Sequence, residues 1–397
     1  MRPHPPFFCA AFPLADTPVA GQVGRMDPQP GQTVQEVATQ TFVVETTPAP
    51  AAEPPLRAFE RRFANQQMNP FRDWNPMVAT IRGYRIPNAM VDGGMHGLWN
   101  RDGFLHGTGY IRSDDELSRF PIEADKIVEW PDDVIAIIGC NFCHHNYFHW
   151  LTQSLPAIDH ALGRNDRDRN IMLVLPVLNA WQEESLRLLG YDRVRRATLD
   201  DPAKFHRFRT VEYSELIKGG ASFKPSVVTR RTYTRLRQAV PKTRWDGRRL
   251  YVARTDTDRR TMLNEDAVIE EMRRRGFEIL VPGTLSMTEQ IRTFREASIV
   301  VGPHGAGMSN IVFCDPGTIV YELLPAHYRN GCFAALGLTC RLRYWTDWFD
   351  STYSGDEHLS VRPWDLDFAS FRRRLDEIAA MEDRATARPA SASGAGQ

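Results

Sequence analysis

The sequence predicts an α/β fold of two lobes facing each other across a cleft, and three observations predict it. Short β-branched runs alternate with helical apolar spacing from Val134 to Leu216. The same alternation restarts at Leu250 and continues to Leu324. At 397 residues, the chain is also longer than one hydrophobic core usually serves.

Val134 to Gly139 (VIAIIG) reads as a buried strand. His149 to Leu162 follows as a helix, with Trp150, Leu151, Leu155, Ile158 and Leu162 on one face. Ile171 to Leu175 is the next strand, and Trp181 to Leu189 is a helix ending at Gly190, where glycine readily takes a left-handed cap. Thr210 to Leu216 is a third strand. After a basic stretch around Pro241 to Arg249, Leu250 to Ala253 is a strand, Asn264 to Arg275 a helix closed by Gly276, and Glu278 to Val281 a strand. Ser286 with Glu289 three residues on forms a capping box that starts a helix running to about Ala297. Ser298 to Val301 is a strand, Met308 to Phe313 a short helix and Thr318 to Leu324 another strand. Alternation of this kind predicts parallel sheets covered on both faces, with ligands held outside the carboxyl ends of the strands.

The ends of the chain differ in composition. Residues 1–56, rich in Pro, Ala, Thr and Gln, are read as a disordered or extended segment, with Met26 an alternative start. Residues 57–240 and 241–383 form the two lobes, and 384–397, rich in Ala, Ser and Gly, form a loose tail.

Acidic and basic residues balance at 49 each, which argues against a global field for nucleic acid or anionic lipid. No apolar run approaches the roughly 20 residues needed to span a bilayer. Prolines at positions 3, 5, 6 and 13 interrupt any signal-like apolar core. A cytoplasmic location with at most peripheral membrane association is expected. The six cysteines are scattered. Cys140-Asn141-Phe142-Cys143-His144 fits a haem-attachment pattern, with His145 adjoining. No export signal or second ligand pair accompanies it, and no metal is expected.

The residues that point to chemistry lie in the second lobe. Ile299 to Asn310 joins a strand to a helix through His304, Gly305, Ala306 and Gly307. Glycines there let a ligand approach the main chain, and the helix start offers free N–H groups to a phosphate. Arg254 follows one strand and Arg260 a short loop later, so two guanidiniums could neutralise a diphosphate. Glu322, an acid inside the apolar run VYELLP, could accept hydrogen bonds from ribose hydroxyls or pair with a nearby arginine.

Taken in order, Tyr251-Val252-Ala253-Arg254, Arg260, Asn264-Glu265, Leu285-Ser286, Glu289-Gln290-Ile291, His304 to Gly307 and Glu322-Leu323 resemble glycosyltransferase family 61. Asn146-Tyr147-Phe148-His149-Trp150-Leu151 with Leu155-Pro156 resembles the N-terminal signature of that family. The resemblance implies a GT-B type fold of two Rossmann-like lobes, acceptor side first and donor side second. It implies inverting transfer of a hexosyl, pentosyl or N-acetylhexosaminyl group from a nucleotide sugar, usually a UDP-sugar. The acceptor would be a glycan or lipid-linked glycan, as in surface or capsular polysaccharide synthesis.

In that reading Arg254, Arg260 and the His304 to Gly307 turn bind the diphosphate, Glu322 binds the ribose, and no metal or other cofactor is needed. His149 is the candidate base, with His304 as a second candidate. Where relatives often carry an acid shortly after this histidine, the chain has Gln153. A non-catalytic nucleotide-sugar-binding scaffold is the alternative. A Ser-His-Asp hydrolase is disfavoured because no G-x-S-x-G elbow is present.

Overall fold

The protein was examined as a computed structural model, which describes residues 32–46, 80–106, 108, 122–165, 170–217, 227–243, 247–328 and 330–386. Within them, two sheets carry fourteen strands. In the first sheet the order is β4-β3-β2-β9-β6-β7-β8, with β1 pairing β2 and β5 pairing β9. These strands are β1 (Gln40–Thr46), β2 (Thr80–Asp92), β3 (Leu98–Asn100), β4 (Gly103–Phe104), β5 (Ile127–Glu129), β6 (Ile135–Ile138), β7 (Ile171–Pro176), β8 (Arg196–Leu199) and β9 (Phe205–Ser214). β5 to β9 pair in parallel, whereas β1 to β4 add an antiparallel extension.

The second sheet is parallel throughout, in the order β11-β10-β12-β13-β14. Its strands are β10 (Arg248–Val252), β11 (Glu278–Leu280), β12 (Ala297–Pro303), β13 (Ile319–Pro325) and β14 (Arg343–Phe349). All seven residues of β13 are buried, as expected of a central parallel strand with helices on both faces. Numbered within its own half, this order is 2-1-3-4-5, and β6 to β9 in the first sheet run 3-2-1-4. Both orders reverse direction at one point, which lies between β10 and β12 in one sheet and between β6 and β9 in the other. Open α/β sheets leave a crevice at such switch points.

The two sheets share a hydrophobic core. One continuous cluster joins Ile137 and Leu173 of the first sheet to Val252 and Val300 of the second through Tyr233, Leu236, Phe294 and Ile311. The helix Val227–Ala239 supplies the first two of these bridging residues. Thus the halves are welded along their apolar faces and open only at their strand ends. The closing helix Phe368–Thr386 packs Phe371, Leu375 and Ile378 on the second sheet.

Two expectations for the chain ends change. In the segment 1–56, residues 34–37 form a short helix with a Thr33–Glu36 capping box, and β1 pairs with β2 along its whole length. That part is integral to the sheet, because backbone pairing compensates for its few large apolar groups. The last helix continues to Thr386, three residues into the expected tail. Met26 and residues 387–397 lie outside the described residues. Among the described residues, no helix is long and apolar enough to cross a membrane.

Candidate active site

A cavity of about 690 Å³ opens where the two switch points meet. His149 and Tyr147 line it from the first half, and Arg254, Arg260 and His304 to Gly307 line it from the second. Seven of the eight residues that the sequence singles out therefore surround one space.

Arg254 leaves β10 two residues past the strand end. Its main-chain N–H donates to Glu265 Oε1 at 2.8 Å, so the Asn264-Glu265 pair sets where the side chain starts. The guanidinium then lies flat against the glycine turn. Nη1 donates to the His304 carbonyl, and Nη2 to the Arg259 carbonyl at 2.6 Å. A Cβ at Gly305 would stand 1.7 Å from Nη1 of Arg254. Glycine is required here for closeness, since its φ of 175° is ordinary extended backbone. At Gly307 a Cβ would meet Val252 at 3.1 Å, a tight fit.

Arg260 holds a left-handed φ of 52° in the loop, donates to the Ser360 carbonyl at 2.8 Å and stacks over the Tyr328 ring at 4.4 Å. Both arginines are half-buried, yet their Nε groups are fully enclosed and unpartnered. Among the described residues, no carboxylate forms an ion pair with either. Burial, reinforced by the like charge of Arg260, draws Arg254 down to about 10, and burial lowers Arg260 as well. Both still carry their charge at neutral pH. Asp256 and Glu265 oppose part of that charge at Arg254 without pairing with it, and two half-buried cations with no ion pair favour an anion in the cavity between them.

Beyond Gly305, the turn enters the 3-10 helix Ala306–Phe313, which contains the short helix expected at Met308 to Phe313 and winds more tightly than an α-helix. Its first N–H groups have no intrahelical acceptor and lie at the cavity.

The ribose role expected of Glu322 is not supported, and neither is pairing with an arginine. Glu322 is 0% exposed and does not line the cavity. Its Oε1 accepts from His304 Nδ1 at 2.5 Å, and its Oε2 accepts from the Tyr344 hydroxyl. Parallel pairing of β13 with β14 brings Tyr344 alongside, because Val320 sits opposite it in register. Both oxygens are thus spent on orienting neighbours, and Glu322 is a positioning residue for His304. Burial outweighs this contact and holds the His304 imidazole below its ordinary value.

On the other wall, the helix that carries His149 begins at Tyr147–His149, widens into a π turn over Trp150–Ser154 and continues as Leu155–Arg164. Pro156 explains the widening: it has no N–H for the Thr152 carbonyl and would crowd it in a regular turn. A hydrogen-bond relay fixes the His149 tautomer. Asn141 Oδ1 accepts from Cys143 N–H at 2.9 Å, so its Nδ2 donates to the Ile217 carbonyl at 3.1 Å and to Gln153 Oε1 at 3.0 Å. Gln153 therefore presents its oxygen to His149 Nδ1 at 2.9 Å. His149 must donate from Nδ1, which leaves the Nε2 lone pair free. Burial lowers the His149 pKa, with the Gln153 contact opposing it, so the ring is neutral at pH 7.

Several positions escape sequence reasoning because their partners are remote. Tyr147 Oη donates to Asn310 Oδ1 at 2.6 Å, and Asn310 Nδ2 donates to Gln290 Oε1 at 2.8 Å, tying the two walls together. Glu184 accepts from the Met287 and Thr288 main-chain N–H groups at 2.9 and 3.2 Å, capping a helix of the opposite half. Arg259 also lines the cavity. Its place directly before Arg260 in the loop after β10 is the signal that could have flagged it.

Comparison with known proteins adds independent findings. Beta-1,2-xylosyltransferase RCN11 of Oryza sativa subsp. japonica is 40% identical over 60 residues, covering 15% of this chain and 11% of that protein. Xylan glycosyltransferase MUCI21 of Arabidopsis thaliana is 31% identical over 103 residues, covering 25% of this chain and 17% of that protein. The matches thus span less than a fifth of these curated relatives. A solved structure, the bacterial iron-containing dodecameric glycosyltransferase TibC from enterotoxigenic E. coli, matches 69% of this chain and 81% of its own. At 11% identity and a TM-score of 0.29, it carries no argument about the fold. The family model described as Glycosyltransferase 61 matches residues 147–321. That stretch holds His149, both arginines and the glycine turn, and it is the part of the chain that matches glycosyltransferase family 61.

Proposed function

We propose that the protein is an inverting glycosyltransferase that moves a sugar from a nucleotide-sugar donor, a UDP-sugar by preference, to a glycan or lipid-linked glycan acceptor. The two halves would act as GT-B type lobes, donor in the second and acceptor in the first. The observation that carries this reading is the pair of arginines that face the glycine turn with no ion pair among the described residues. Transfer builds negative charge on the leaving diphosphate, and fixed cations with free N–H groups stabilise that charge without a metal. A phosphate beside His304 would favour its imidazolium, which Glu322 would balance from behind. On the opposite wall the lone pair of His149 Nε2 would take the acceptor hydroxyl proton as the new bond forms. Surface-polysaccharide assembly in the cytoplasm is the cellular setting we propose.

The names of the relatives make UDP-xylose the first donor to test. A panel of UDP-sugars is expected to raise the melting temperature of the full chain, and one of them to be turned over with inversion at the anomeric carbon. Stabilisation without hydrolysis or transfer would instead identify a nucleotide-sugar-binding scaffold. No stabilisation by any nucleotide would remove the reading.

A further inference from the structure

The Cys140 to His144 stretch lacks a second pair of ligands in the sequence, but the fold brings a third ligand, His96, from 44 residues upstream. β2 ends at Asp92 and β3 begins at Leu98, and the turn between them is locked by the Asp92 carboxylate. That carboxylate accepts the N–H groups of Gly94 at 3.1 Å, Met95 at 2.5 Å and Gly97 at 2.8 Å, and Trp99 Nε1 at 3.0 Å. The turn holds His96 at a φ of 56°, a left-handed conformation that non-glycine residues adopt rarely and usually for a reason. Its ring is buried, and Nδ1 lies 3.5 Å from Cys140 Sγ.

His144 completes the cluster. Its Nδ1 faces the Asn141 carbonyl at 3.1 Å, and a carbonyl only accepts, so Nδ1 carries the proton. Nε2 therefore holds a lone pair, and that atom is enclosed with no partner in a residue only 2% exposed. The ligand atoms of His96, Cys140 and His144 all lie within 4.8 Å of one another. A plain S–H···N contact between Cys140 and His96 would leave the His144 lone pair orphaned and the strained turn unused.

Metal geometry accounts for both. Zinc bonds of about 2.3 Å to sulfur and about 2.0–2.1 Å to nitrogen, at a tetrahedral angle, separate the two ligand atoms by about 3.5 Å. The distance between Cys140 Sγ and His96 Nδ1 is 3.5 Å. Metal-bound histidines characteristically donate their other ring N–H to a carbonyl, as His144 does.

We propose that His96, Cys140 and His144 bind a zinc-class divalent cation. Binding replaces the Cys140 S–H bond with an S–Zn bond and releases one proton. The site departs from the expectation that the protein uses no metal. It lies away from the donor wall and is independent of the transfer reading. Cys140 follows β6 by two residues and His144 precedes His149 by five, so the ion would clamp the β2–β3 turn to the segment that presents His149.

The full chain, purified from zinc-supplemented culture and freed of loosely held ions, is expected to retain about one zinc per chain. Exchange with cobalt(II) should give a thiolate-to-cobalt charge-transfer band in the near ultraviolet and tetrahedral bands in the visible. Cys140→Ser should abolish the charge-transfer band and lower retained zinc at least tenfold, whereas Cys143→Ser should leave both. Zinc titration of the wild-type apoprotein in weak buffer should release one proton per ion, a readout that does not depend on the Cys140 variant folding. Absence of the cobalt band in the wild type, or loss of metal in Cys143→Ser with retention in Cys140→Ser, overturns the assignment.

Discussion

On the C-terminal wall of the cavity, Arg254 and Arg260 form no ion pair among the described residues, although Asp256 shares the wall, whereas on the N-terminal wall Asn141, Gln153 and His149 form a neutral relay. Two buried acids among the described residues are fully paired. Buried Glu212 pairs with Arg164 and Arg85, and buried Asp159 with Arg235 and Thr232. Set against these closed networks, the open arginines mark where an anion belongs. The relay marks where a proton is handled, because it holds one tautomer without adding charge. In the proposed reaction, charge and proton would be managed on opposite sides of one space, as displacement of a leaving diphosphate by a hydroxyl requires.

The division can be broken from either side. The largest effect is expected from His149→Ala, which removes the proposed base and should lower kcat about 10²- to 10⁴-fold. Nucleotide-induced stabilisation should be unchanged. Loss of donor binding in that variant would place His149 in the donor site instead.

Next comes Arg254→Ala, expected to lower turnover about 10- to 100-fold, from charge-assisted bonds of about 1.5–3 kcal/mol each. It should also weaken thermal stabilisation by the nucleotide while the unliganded melting temperature holds, since an uncompensated buried cation is removed. Gly305→Ala sharpens the point, because its new methyl would occupy the place of the Arg254 guanidinium. The two changes should cost similar amounts and combine with little further loss. Full additivity in the double variant would show that the turn and the arginine act separately.

The smallest effect is expected from Gln153→Glu. Burial holds His149 below its ordinary 6.5, so the acid limb of the kcat/KM profile should lie below that pH. A carboxylate at 153 would stabilise the imidazolium, raise the His149 pKa and move the limb upward by about one pH unit. Activity near pH 6 should fall while the plateau persists. An unmoved limb would assign the titration to another group.

What the sequence discloses depends on the range of the interactions. The parallel halves are legible because each strand and helix carries its own period and its own cap. Ser286 and Glu289 form the capping box expected of them, and Gly190 and Gly276 take φ values of 82° and 76° at helix ends. The antiparallel extension is not legible, since the long β2 strand contains Gly83, Pro87 and a left-handed Asn88 that read as breakers. Its register is set by β9 more than a hundred residues away. At the site, the arginines and the glycine turn announce themselves through local chemistry. The partner of Glu322 does not, because Tyr344 reaches it only through the β13–β14 register. The convergence of His96 on Cys140 is hidden for the same reason.

The apolar cluster running from Ile137 to Val300 through the helix Val227–Ala239 bears on how such enzymes can be recombined. A chimera spliced just before Leu250 would part Tyr233 and Leu236 from the Val252 and Phe294 surface they cover, leaving two greasy faces where one interior had been. Modular exchange of a donor half must therefore carry that helix along, so the unit of inheritance is larger than the sheet that holds the arginines.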